Sequence, residues 1–169
     1  MKRAIALLLM ALASAPTHAA DQTDDLLYDG SMRVHQQFCA DAKTTPDYDA
    51  CSGEELAQAQ ADLKATFAAA LARWRDSPET VAALRHAQAV WGTSFEADVA
   101  ARFAEADAER ARGGHAGTAY AAAHAWYEAQ LTRARTGQLC QFLRGAAYGE
   151  RDTAPCDQLV ERALDGQKK

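Results

Sequence analysis

The chain has no Cys-x-x-Cys pair, which excludes a thiol–disulfide redox site of the common kind. It has no His-x-x-x-His pattern, and His35, His86, His115 and His124 follow no metal-ligand spacing. No Gly-x-Ser-x-Gly elbow occurs, and Ser77 and Ser94 sit in helix-like sequence, so a serine nucleophile has no support. No metal, no cofactor and no catalytic residue is therefore expected. Prolines number only 4, and no apolar–polar alternation lasts long enough for a sheet, which leaves helix as the one strong signal. Neither an internal repeat nor a low-complexity linker is present, and after residue 20 no apolar run is long enough to cross a bilayer.

What is present begins with an export signal. Lys2 and Arg3 precede the apolar run AIALLLMALA, which is too short for a membrane span, and small residues follow in SAPTHAA. Residues 1–20 read as a signal peptide cut after Ala19 or Ala20, leaving 21–169 as a single helical domain in the periplasm, with secretion as the variant. No cysteine lies near the cut, so no lipid anchor is expected. The formal net charge is −5, and loss of Lys2 and Arg3 makes the mature chain more acidic. That balance disfavours nucleic acid and anionic membranes and favours a basic protein partner.

All four cysteines lie in the exported part, where disulfides are the default. Three pairings are open, and the expectation adopted is the local one, Cys39–Cys51 and Cys140–Cys156. Each would close a loop of about 13–17 residues, worth on the order of 3 kcal/mol. The helices are read as follows. A first runs from Asp24 to about Ala40, with Leu27, Val34 and Phe38 on one face and Gly30 as a weak point. A loop follows, in which Pro46 breaks any helix. Ser52 and Glu55 form a capping box that starts the next helix, whose face carries Leu56, Gln60, Leu63, Phe67, Leu71 and Trp74. Ser77-Pro78-Glu79 opens a third, with Val81, Leu84, Gln88, Trp91, Phe95, Val99 and Phe103 on its stripe. Gly92 within it suggests close helix–helix approach. Gly113-Gly114 breaks the chain, a fourth helix spans about Thr118 to Leu143 through Leu131, and a short one covers about Cys156 to Leu164. The fold expected is all-α, a small antiparallel bundle of about four helices stapled by disulfides.

The acids Glu96, Asp98, Glu105, Asp107 and Glu109 alternate with Arg102, Arg110 and Arg112, which reads as a solvated helix face, not a pair of catalytic carboxylates. Leu63, Phe67, Leu84, Gln88, Trp91, Leu131 and Arg135 read as structural core. Trp91 fills the bundle centre and Arg135 pairs across it with Glu55 or Glu96. The partner-binding expectation falls on Pro46, Asp47, Tyr48 and Asp49, an aromatic between acids on a constrained loop, with Tyr48 folded back onto the bundle as the alternative.

Several pieces in order carry a family resemblance: FCADAKTTPDYDACSGEEL, QADLKATF, LRHAQAVW, Gly113-Gly114 and LTRARTGQL. From Cys39 to Leu139 the chain resembles the LprI-type lysozyme-inhibitor family, small secreted or lipid-anchored helical proteins. It departs from the family pattern at Gln60, Lys64 and Phe67, usually Asp, Asn and Tyr, and at Phe95-Glu96, usually Arg-Asp. The positions of a second family disulfide correspond to Val99 and Tyr127, so Cys140–Cys156 would be a staple in a different place. The resemblance implies a non-enzymatic protein that blocks a basic lysozyme-like wall hydrolase. The target would be a host enzyme or a rival's toxin, in which case the chain would be an immunity protein. A structural or envelope-stress protein of the periplasm is the alternative.

Overall fold

A computed structural model describes residues 34–145, 149 and 151–165. The expected signal peptide, and residues 24–33 of the expected first helix, lie outside the described residues. Helix α1 covers 34–38 among the described residues. It is followed by α2 (Thr45–Arg73), α3 (Pro78–Ala111), α4 (Tyr120–Leu143) and α5 (Cys156–Asp165). No strand occurs among the described residues, and no helix there is long and apolar enough to cross a membrane. Both cysteine pairings expected from the sequence are present, with Cα–Cα separations of 5.4 Å for Cys39–Cys51 and 5.8 Å for Cys140–Cys156.

The start of α2 differs from the reading of Pro46 as a breaker and of Ser52-x-x-Glu55 as a capping box. The helix begins about two turns earlier, and the cap is Thr44 with Asp47. Asp47 accepts from the backbone N–H of Thr44 at 2.9 Å and of Lys43 at 3.1 Å, while the Thr44 hydroxyl accepts from the Asp47 N–H at 3.4 Å. Pro46 occupies the first turn, where a missing N–H costs nothing because that position has no intrahelical partner. Ser52 and Glu55, both fully buried, face inward from the middle of the helix.

The other boundaries follow the sequence closely. Ser77 is the N-cap of α3 with Pro78 at its first position, although the Ser77 hydroxyl bonds the Thr80 hydroxyl at 2.8 Å and not a backbone N–H. At the far end Gly113 takes φ +82°, a left-handed conformation that glycine adopts without penalty. Its N–H reaches Arg110 O at 2.9 Å and the Gly114 N–H reaches Glu109 O at 3.0 Å, the two bonds of a Schellman stop.

Helices α2 and α4 form the main packed pair, and they run in the same direction. Tyr48 lies beside Ala122 near their starts, Glu55 meets Arg133 midway, and Trp74 Nε1 donates to Phe142 O at 2.8 Å at their ends. Helix α3 returns between them in sequence and is antiparallel to α4, with Gln88 near Arg135 and Phe103 near Tyr120. Small residues let α2 and α4 approach: Ala59, Ala69, Ala70 and Ala129 are wholly buried. The apolar core sits toward the α5 end, where Ala69, Ala70, Leu84, Leu139, Leu143 and Leu159 cluster. Leu63, Phe67, Leu71 and Trp74 pack partly buried against it.

Two expectations about α3 need correction. Leu84 is its only buried residue, and Trp91 is half-buried against Phe95 at 5.1 Å, so the bundle centre is not filled by Trp91. The reason is that α3 leans on α4 and shares little with α2, so its stripe is covered from one side. Gly92 marks no close approach, since a Cβ added there meets nothing within 4 Å. Gly92→Ala should therefore stabilise the protein by about 0.5–1 kcal/mol, through the lower conformational entropy of the unfolded chain. Thermal unfolding followed by circular dichroism should show a midpoint raised by roughly 2–4 °C. An unchanged or lowered midpoint would mean that Gly92 serves a contact.

Candidate protein-binding site

The residues singled out for partner binding come together at the first turn of α2. Pro46 and Asp47 are exposed, Tyr48 retains 43% of its surface, and Asp49 is half-buried. The Cys39–Cys51 bridge ties this turn to the end of α1. Asp47 serves the helix as well as the surface. The Thr44 hydroxyl, and then the backbone N–H groups of Lys43 and Thr44, hold its carboxyl below the ordinary 3.8.

Behind the turn lies a groove of about 250 Å³ between α1, α2 and the first half of α4. It is lined by the rings of His35, Tyr48 and Trp126 and by Thr45, Ala119, Ala122 and Ala123. The His35 and Trp126 rings lie 5.3 Å apart at 39°. A larger hollow of about 490 Å³ opens over the α3–α4 turn beside Arg110, His115 and Tyr120. There the contacts join α3 to α4: the Tyr120 hydroxyl donates to Asp107, Arg110 stacks over Tyr120 at 4.6 Å, and Phe103 meets His124 at 4.6 Å.

The back of the smaller groove rests on a buried ion cluster. Glu55 has no solvent exposure, yet it receives His35 Nδ1 at 2.6 Å on one oxygen and the Arg133 guanidinium on the other. Arg133 also stacks over Phe38 at 5.8 Å. The cluster joins α1, α2 and α4 at one point. Sequence reasoning missed His35 and Arg133, and it paired Glu55 with the wrong arginine. Positions 133 and 135 are about 200° apart around a helix, so they face different neighbours. Arg133 turns to α2, whereas Arg135 turns to α3 and donates through Nε to Gln88 Oε1 at 3.0 Å and through Nη1 to Gln138 at 3.1 Å. Glu96 is exposed on α3 and does not pair with Arg135. Burial pushes the Arg135 guanidinium below its ordinary value. Of the other expected core positions, Leu131 is partly buried on α4.

Among the described residues, nothing around this groove assembles the nucleophile, base and oxyanion donors of a catalytic site. The acids Glu96, Asp98, Glu105, Asp107 and Glu109 are each exposed, and they divide between two sides of α3. Among the described residues no three histidine, cysteine or carboxylate side chains converge as metal ligands. The arrangement offers a rigid aromatic and acidic surface on an element anchored by a disulfide and a buried ion cluster.

The family model described as lysozyme inhibitor LprI matches residues 39–139, more than half of the chain. The chain belongs to this family. Comparison with curated proteins and with solved structures returns no match.

Arg133→Ala should cost about 3–5 kcal/mol, because it strands a buried carboxylate with one partner removed. Urea unfolding measures this, and a loss below about 1 kcal/mol would show that Glu55 is relieved by water or by His35 alone. Asp47→Asn tests the cap by its pH dependence. A carboxyl held below 3.8 contributes stability that is complete above that value and is lost as pH falls through its lower folded value. Between about pH 5 and pH 2 the variant should lose less stability than the parent, giving a flatter acid limb. Parallel curves would remove Asp47 as the cap's charged partner.

Proposed function

Proceeding from membership of the lysozyme inhibitor LprI family, we propose that this chain is an exported, non-enzymatic protein that binds a basic, lysozyme-like wall hydrolase and occludes its cleft. The periplasm is the place of action, with secretion as a variant, because residues 1–20 have the pattern of a signal peptide. The observation that carries the reading is the family match across 39–139. Its span includes the disulfide-closed turn with Asp47, Tyr48 and Asp49 at one end of the bundle.

Physical chemistry supports that end as the contact surface. Tyr48 is a rigid aromatic anchor with few rotamers to lose, and the acids beside it complement a cationic target. The exported chain, more acidic than the −5 of the full sequence, adds steering at low salt. The Cys39–Cys51 bridge and the buried Glu55 cluster hold the turn in place before binding, so little ordering remains to be done on association.

The test mixes the exported chain, residues 21–169, with a panel of basic muramidases and follows clearing of a cell-wall suspension. At least one enzyme should be slowed in a 1:1 complex, and the effect should weaken as salt rises from 50 to 200 mM. No slowing at molar excess, together with no complex on gel filtration, would overturn the inhibitor reading. The double variant Tyr48→Ala, Asp49→Asn should weaken inhibition at least tenfold, about 1.4 kcal/mol, with helical circular dichroism unchanged. Asp47 is left in place because it caps α2. Undiminished inhibition by the double variant would move the interface elsewhere.

A further inference from the structure

Resting on that reading, we propose that the groove between α1, the first turn of α2 and the first half of α4 is a receptor slot for one arginine side chain of the partner protein. Its volume, about 250 Å³, lies below the roughly 300–1,000 Å³ of small-molecule sites and suits a single long side chain. The lining includes the small side chains of Ala119, Ala122 and Ala123 with Thr45, which leave the space open and largely apolar. Three rings line it as well: Tyr48, which is exposed, and His35 with Trp126, 5.3 Å apart.

Such a slot selects for an occupant with an aliphatic stem and a flat, weakly hydrated cationic head. The stem buries against the alanines, and a guanidinium stacks on aromatic faces while keeping its edge donors free. An ammonium has the charge without the plane, and it gives up its water less readily. The complementary charge lies next to the slot and outside its lining. Asp47 and Asp49 flank Tyr48, and Asp41 lies in the same disulfide-closed segment, against the single cation Lys43. One oxygen of Asp49 is shielded from solvent and has no hydrogen-bond partner among the described residues. The cation behind the slot, Arg133, is already matched by Glu55, so it does not repel a second guanidinium at full strength.

The slot also divides the work of the binding end. The exposed acids steer a basic partner at long range, and the slot registers one side chain at short range. A partner with a protruding arginine beside its cleft would then be favoured over an equally basic one without it.

The test uses the isotope-labelled exported chain and two small probes, N-acetyl-arginine amide and N-acetyl-citrulline amide, which differ in charge but hardly in shape. Arginine should move the Trp126 indole N–H resonance and the Tyr48 amide saturably at millimolar concentration, with citrulline at least tenfold weaker. Ala122→Leu fills the slot and should abolish the shifts while the helical spectrum is kept. Tyr48→Ala, at an exposed position where folding is not at stake, should weaken arginine binding at least threefold and keeps the test decisive if Ala122→Leu fails to fold. Equal response to citrulline, arginine shifts that survive both variants, or no shift at all would overturn the slot. So would a trimer of N-acetylglucosamine moving the same resonances more strongly than arginine. The two readings fail separately. Full hydrolase inhibition by Ala122→Leu would overturn the slot and leave the inhibitor reading intact. Arginine binding with no hydrolase slowed would do the reverse.

Discussion

A carboxylate without access to water stands where three helices meet. Glu55 sits on α2, and its two oxygens are taken by His35 from α1 and Arg133 from α4. Burying a charge is costly unless it is paired and hydrogen-bonded, so this position tolerates only an arrangement in which both partners arrive. That requirement sets the register of α4 against α2 and holds α1 where the disulfide brings it. The small residues around it, Ser52 one turn earlier and Ala59 one turn later, leave room for the helices to come close.

The molecule is unequal along its length. Toward α5 the packing is apolar, built from Leu84, Leu139, Leu143 and Leu159 over paired alanines, and the Cys140–Cys156 bridge ties the short helix to it. Toward α1 the interior is polar and the surface carries aromatics and acids. Stability by hydrophobic burial is thus concentrated at one end. The other end relies on a disulfide, a helix cap and the ion cluster, leaving its surface available for the proposed binding. The long α3 connects the two ends while leaning mainly on α4, through Gln88–Arg135 in its first half and the Phe103–Tyr120–His124 group in its second.

Much of this was legible in the sequence. Helix without strand, the stop at Gly113-Gly114, the start at Ser77-Pro78 and both disulfide pairs followed from local chemistry. The start of α2 was misread because two capping patterns lie eight residues apart. Thr44-x-x-Asp47 and Ser52-x-x-Glu55 have the same form, and Pro46 was taken as a stop where it is a permitted first-turn residue. The depth of burial on α3 was also misread. An apolar stripe tells which face turns inward, but not whether one neighbour or two will cover it.

What the sequence determined by itself is what lies within a few residues along the chain: helix, the start at Ser77-Pro78 and the stop at Gly113-Gly114, with the local cysteine bridges one of three open pairings. Those depend on backbone hydrogen bonds and short loops, whose energetics need no knowledge of distant partners. Which arginine meets Glu55, that His35 and Trp126 line a groove with Tyr48, and that alanines share its lining were decided only by tertiary structure. These groups are separated by 20 to 78 positions or more, as in His35–Glu55 and Arg133–Glu55. A rotation of about 100° per residue decides which side chain faces which helix, and that phase is set by packing between helices and not by any one of them.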